Sequence, residues 1–179
     1  MRRALALAVV AMAVAAPAAS AQAPDYTIRA KGSKTGLGKV SAIGPFKLAG
    51  DPNLQGAIAA FGTQSSLQKT ATLCRPGWRA IGLRISFVNL GGGDSCQFGS
   101  VQTVSAFGKV WRTERGLKIG SSVKTLRKLY PGALRKGRTY RLVGAKSIFT
   151  DGSRYSVLAA RTDGRQVKSF RLFVGAAGE

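Results

Sequence analysis

Hydrophobic positions change period along this chain, and each change marks an element. Ala4 to Ala16 is an unbroken apolar run behind the positive start Met1-Arg2-Arg3. Pro17 breaks the run, and Ala19-Ser20-Ala21 places small residues where signal peptidase cuts. The run is shorter than the roughly 18 apolar residues of a membrane span. Residues 1–21 therefore read as a signal peptide removed before Gln22, and the protein as secreted or otherwise extracytoplasmic. Residues 22–38 are polar and aperiodic, a flexible leader or an edge segment.

Helical spacing then appears. Asp51-Pro52 has the form of a helix start, with Asp as N-cap and Pro in the first turn. Leu54, Ala57, Ile58 and Phe61 follow at helical intervals, and Gly62 is a stop. From Arg79 to Val88 the period drops to two: Ile81, Leu83, Ile85 and Phe87 on one face, Ala80, Gly82, Arg84 and Ser86 on the other. Gly91-Gly92-Gly93-Asp94 predicts a turn, and Gln97 to Lys109 a returning strand. Helical spacing recurs at Val123, Leu126, Leu129 and Tyr130, with Ser121 as N-cap and Pro131-Gly132 as terminator. Three strands are expected after it: Thr139 to Val143, Arg154 to Arg161 and Val167 to Val174, the last two joined by an Asp163-Gly164 turn.

Each half thus reads as a helix followed by antiparallel strands. Helices this short are marginal alone, so their apolar stripes must pack on the sheet. The pattern predicts an α+β fold over 39–179 in a single two-layer domain. Two weak helix-plus-strand repeats, about 40–111 and 112–175, share one sheet.

The segment Gly116-Leu117-Lys118-Ile119-Gly120-Ser121-Ser122-Val123-Lys124-Thr125-Leu126 sets an apolar residue, a Gly and a small N-cap before a short helix. It resembles motifs of tandem-repeat β-lactamase-inhibitory-protein-like domains and of the small lipoprotein of the outer-membrane barrel-assembly machinery, from Gly116 to Gly132. That resemblance implies an exported helix-plus-sheet module that binds other proteins and has no chemistry of its own. It transfers no interface residues.

Composition sharpens the function classes. The chain has 28 Lys+Arg against 7 Asp+Glu, a net charge of +21; loss of Arg2 and Arg3 lowers this by two, to +19. Outside a cell such charge attracts wall polymers, anionic lipid headgroups and acidic proteins. Nucleic acid is not the expected native partner of an exported chain. There is no His, which excludes Ser-His-Asp, Cys-His and His-metal sites. Cys74 and Cys96 are the only cysteines and, in an exported chain, read as one disulfide rather than a metal pair. No cofactor or metal is expected.

The acids are scattered. Asp51 reads as a cap, Asp94, Asp151 and Asp163 as turn residues, and Glu114 as surface charge balanced by Arg112 and Arg115. Ser121 or Ser122 with Lys118 or Lys124 has the spacing of a Ser-Lys dyad, but capping explains those serines better. Gly91 to Asp94 is expected to lead into a strand, which denies it the helix N-terminus of a phosphate loop. Trp78, Phe87, Trp111, Phe149 and Phe170 suit the core. The basic residues remain as the candidate site: Lys124, Arg127 and Lys128 on the second helix, then Arg135, Lys136, Arg138 and Arg141. The sequence reads as an exported, non-catalytic basic module for an anionic envelope polymer or an acidic protein. The alternative is an inhibitor-like domain that binds protein through its sheet face and exposes an aromatic patch there. A Ser-Lys or carboxylate enzyme ranks last.

Overall fold

The computed structural model describes residues 24–33, 39–48, 52–146 and 154–174. The signal segment, Asp51, Phe149 and Asp151 lie outside them. The strands are β1 (Thr27–Lys31), β2 (Lys39–Ile43), β3 (Phe46–Lys47), β4 (Ser66–Lys69), β5 (Leu73–Trp78), β6 (Leu83–Val88), β7 (Ser100–Ala106), β8 (Arg112–Thr113), β9 (Leu134–Lys136), β10 (Thr139–Lys146), β11 (Arg154–Thr162) and β12 (Val167–Phe173). The helices are α1 (Leu54–Phe61), α2 (Ser95–Phe98) and α3 (Val123–Leu129). Sheet dominates: an eight-stranded sheet of order β4-β5-β6-β7-β12-β11-β10-β9 and a four-stranded one of order β3-β2-β1-β8.

Cross-strand pairing explains which residues are buried, because directly paired residues share a face and successive rows alternate faces. One row runs Trp78, Leu83, Ala106, Phe170, Ala160, Tyr140 across β5 to β10. Every member is buried. Ile85, Val104, Leu172 and Leu158 form a second buried row. Ile28, Val40, Ile43 and Phe46 of the small sheet, Leu54 and Ala57 of α1 and Leu126 of α3 complete the same core. Trp111 is sealed at its centre. Its indole Nε1 donates to the Ile81 carbonyl at 2.6 Å, and its ring meets Tyr26 and Phe61 edge-on.

The predicted elements are present with shifted ends. The first helix begins after Asn53, whose Oδ1 accepts from Gly56 N at 3.0 Å, so Asn53 and not Asp51 is its cap. Ser122, one residue beyond the predicted Ser121, caps α3 and accepts from Thr125 N at 3.1 Å. The segment 22–38 is not all leader. β1 is an interior strand of the small sheet, antiparallel to β2 and parallel to β8. Asp25 holds that arrangement, pairing with Arg29 at 2.7 Å and Arg112 at 2.9 Å while Thr27 Oγ1 donates to it. Chiefly this Thr27 bond, opposed by desolvation and helped by both guanidiniums, holds its carboxyl below the usual value of 3.8.

Gly91 to Asp94 leads into α2, not directly into a strand. Asp94 caps that turn, accepting from Cys96 N at 2.8 Å and from Lys69 Nζ at 2.8 Å. A carboxylate already occupies the position where a phosphate would bind. Cys74 and Cys96 form a disulfide with Cα atoms 5.0 Å apart, tying α2 to the buried face of β5.

The β11–β12 turn is as the sequence predicts. Gly164 takes φ +102°, and Asp163 Oδ1 accepts from Arg165 N and Gln166 N at 2.8 Å each. The Gln166 amide, then Lys168 and the Arg165 amide, hold the Asp163 carboxyl far below 3.8. A lowered folded-state value means the turn's contribution is complete above pH 3.8 and disappears as pH falls through the lowered value. The protection of the Arg165 and Gln166 amides, taken relative to intrinsic exchange at each pH, should therefore persist at mild acidity and fall only in strong acid. Protection already falling near pH 5 would contradict this.

Candidate anion-binding face

The other face of the eight-stranded sheet is covered by no element among the described residues. A single row crosses all eight strands on it: Ser66, Gly77, Arg84, Ser105, Arg171, Ala159, Arg141, Leu134. Arginine stands on every second strand from β6 to β10, with small residues between. At about 4.8 Å per strand the arginine backbones repeat every 10 Å or so. A neighbouring row carries Ser86, Thr103 and Phe173, and another Lys136, Thr139, Arg161 and Ser169. Arg75 joins the face through its Nε, which donates to Ser86 Oγ at 3.2 Å.

No residue in these rows is acidic. Of the acids among the described residues, Asp25, Asp94 and Asp163 are held in the ion pairs of their own turns and termini, Asp163 with Lys168 at 2.9 Å. Glu114 lines a separate cavity of about 530 Å³ between β1 and β10, with Arg115, Tyr130 and Lys31. Its expected partners are engaged elsewhere: Arg112 on Asp25, and Arg115 on the Leu129 carbonyl and over the Tyr130 ring at 5.0 Å. Burial raises the Tyr130 phenol above its usual value, against a hydrogen bond with Thr113.

Two depressions mark the face over the second half of the sheet. One of about 500 Å³ is lined by Leu134, Arg135, Lys136, Thr139, Arg141, Ser156 and Ala159. The other, about 330 Å³, is lined by Thr139, Tyr155, Ser156, Ala159, Arg171, Leu172 and Phe173. They share Thr139, Ser156 and Ala159 and so form one groove. Ala159 is its floor because both neighbours in the row, Arg141 and Arg171, are long and it is short. The Arg141 side chain passes over Gly144, where an added Cβ would stand 3.3 Å from its Cδ. Tyr155 and Phe173 meet edge-on at 6.3 Å at one end. Ser156 Oγ is buried and makes no hydrogen bond within the protein.

The seven predicted cations divide. Arg135, Lys136 and Arg141 line the groove, and Arg138 stands in the exposed turn between β9 and β10. Arg135 also reaches the Tyr140 ring, 5.8 Å from its centroid. Lys124, Arg127 and Lys128 are exposed on α3, whose Leu126 is sealed into the core on the opposite side of the sheet. Sequence reading missed Arg84, Arg171, Arg161 and Arg75, which stand singly in sequence and converge only through pairing. Ser122 caps α3 and Ser121 Oγ accepts from Lys118 N at 3.1 Å, while Lys118 and Lys124 are exposed. The desolvated lysine that a Ser-Lys dyad requires is not formed by these residues. No cluster of three potential metal ligands occurs among the described residues, and none of their helices is long and apolar enough to cross a membrane.

No protein-family model matches the chain, and no curated protein matches its sequence. Two solved structures resemble it weakly. An extracellular protein containing a SCP domain from Bacillus anthracis str. Ames is 11% identical, with a TM-score of 0.42 over 71% of this chain and 44% of its own length. The uncharacterized protein YfeY from Escherichia coli is 13% identical, with a TM-score of 0.36 over 80% of this chain and 99% of its own. The chain therefore spans less than half the length of the first of these.

Proposed function

We propose that this protein is an exported, non-catalytic binding module that holds an anionic partner, an envelope polymer or an acidic protein, on the open face of its large sheet. The observation that carries this reading is the row Arg84, Arg171, Arg141, free of acids across eight strands. Export is supported by the leader pattern of residues 1–21 and by the disulfide, a bond that persists in oxidising surroundings. The absence of His, with both cysteines oxidised, leaves little nucleophilic inventory. We also infer that the large sheet is built from two repeats: α1 precedes β4 to β7, α3 precedes β9 to β12, and the two meanders meet at their last strands.

An inhibitor-like domain would use the same face, where Arg84, Arg141, Arg171 and the Tyr155–Phe173 pair are residue types that protein hot spots also favour; what it lacks there is a tryptophan. Trp78 and Trp111 are 4% and 0% exposed and belong to the core. The anion reading is the better supported.

Retention of the exported protein on purified cell envelope tests it. The triple reversal Arg84→Glu, Arg141→Glu, Arg171→Glu should abolish retention. Reversal of Lys124, Arg127 and Lys128 to Glu should leave retention within about twofold. These three, Arg84 and Arg171 are exposed, and exposed charges contribute little to stability, whereas Arg141 is half-buried, so retention is compared at temperatures where each variant is folded. Retention should also fall with salt, whose screening length shortens from about 10 Å at 0.1 M to about 3 Å at 1 M. Salt-insensitive retention, or retention unaltered by the sheet-face reversal, would refute the proposal.

A further inference from the structure

We propose that the groove over β9 to β12 binds an acidic polysaccharide in which charged and neutral sugar rings alternate. This rests on the reading that the open face binds an anion, and it adds the chemistry of the partner.

Charge spacing is the first argument. A linear ligand crossing the strands meets Arg141, then Arg171, then Arg84, one cation per two strands, about 10 Å apart. A nucleic acid strand carries a phosphate about every 3.4 Å, roughly three charges for each arginine. A chain with one carboxylate on alternate rings is sparse enough to match. Arginine itself favours such a group, because its planar fork takes a carboxylate through two parallel hydrogen bonds.

The lining is the second argument. Around the arginines the groove is largely apolar, with Leu134, Ala159 and Phe173 along it. Sugar rings present C–H faces to such a surface, and a bare polyphosphate has none. The Tyr155–Phe173 pair closes one end with aromatic edges.

Hydrogen bonding is the third. Ser156 Oγ is buried in the groove without a partner in the protein, and buried polar groups are rarely left so. A ring hydroxyl satisfies it. An acidic peptide fits less well, since it brings one N–H and one C=O per residue. β10, β11 and β12 are interior strands whose own backbone groups are spent on their neighbours. They have little left to offer such a chain.

The test is titration of the exported protein, at one fixed salt concentration, with hyaluronan, carboxyl-reduced hyaluronan, poly-L-glutamate and polyphosphate. Hyaluronan should bind best and its reduced form not at all. Arg141→Gln and Arg171→Gln should each weaken binding about tenfold, the loss of a charge-assisted hydrogen bond. Ser156→Ala and Ala159→Leu should weaken it as well, the second by filling the floor, and Lys124→Gln/Arg127→Gln/Lys128→Gln on α3 should not. Each variant is compared at unchanged thermal midpoint, and Ser156→Ala is small enough to preserve the fold. Tighter binding of polyphosphate or poly-L-glutamate, still dependent on Arg171, would overturn the polysaccharide assignment and leave the anion-binding reading standing. Hyaluronan binding indifferent to the groove variants would overturn the groove. Failure to bind any of the polyanions would overturn both.

Discussion

Trp111→Ala should cost about 3–5 kcal/mol of stability, the range for deleting a large buried aromatic. Trp111 is fully buried and touches both sheets: it precedes β8, its ring packs on Tyr26 beside β1, and its indole reaches the Ile81 carbonyl before β6. Truncation leaves a cavity and also strands that carbonyl without its donor, which adds a desolvation cost. Domains of this size hold only about 5–15 kcal/mol in total, so the variant should unfold at markedly lower urea. Trp111→Phe separates the terms. It keeps a ring against Tyr26 and Phe61 and loses the hydrogen bond, so its cost should be well under half that of alanine. Equal midpoints for the two variants in urea titrations followed by circular dichroism would mean that the hydrogen bond and not the packing dominates.

The core that surrounds Trp111 was largely legible in the sequence, and the arginine-bearing sheet face was not, for one physical reason. Local periodicity reports which side of an element is buried. Leu83, Ile85 and Phe87 alternate, and Leu54, Ala57 and Ile58 recur at helical spacing, so β6 and α1 declare their buried sides. Pairing between distant strands leaves no such local trace. Arg84 and Arg171 each stand alone among apolar neighbours, and nothing in the sequence says that both pair with Ser105. Reading charge by local density instead favoured Lys124 to Arg141. That run contains part of the groove, Arg135, Lys136 and Arg141, together with the solvent face of α3. A usable signal existed: basic residues at the polar positions of amphipathic strands, as in Leu83-Arg84-Ile85 and Phe170-Arg171-Leu172. Strands without alternation escaped notice as well. β4 is exposed throughout, β3 and β8 have two residues each, and β1 lies in a stretch whose polar ends masked its buried Thr27 and Ile28.

Removing the disulfide should lower stability by about 3 kcal/mol, the chain-entropy value for a loop of this length. The bond spans 22 residues, from β5 through the β6 strand and the Gly91 to Gly93 turn to α2. Cys74 is fully buried and paired beside Phe87, so alanine is the suitable replacement; a serine hydroxyl there would add its own burial cost. Cys74→Ala/Cys96→Ala should unfold roughly 6–12 °C below the native protein. The reduced native protein should unfold close to the double variant, because both lose the same constraint on the unfolded chain. A reduced protein as stable as the oxidised one would show that the loop is already restrained without the bond. Polyanion binding supplies the complementary measurement. Both sulfurs lie on the buried side and toward the β4 end of the sheet, whereas the groove lies over β9 to β12 on the other side. Below its lowered midpoint the reduced protein should therefore bind as the oxidised one does. Loss of binding at temperatures where circular dichroism still reports a folded sheet would mean that the bond sets the twist of the arginine row and not only its stability.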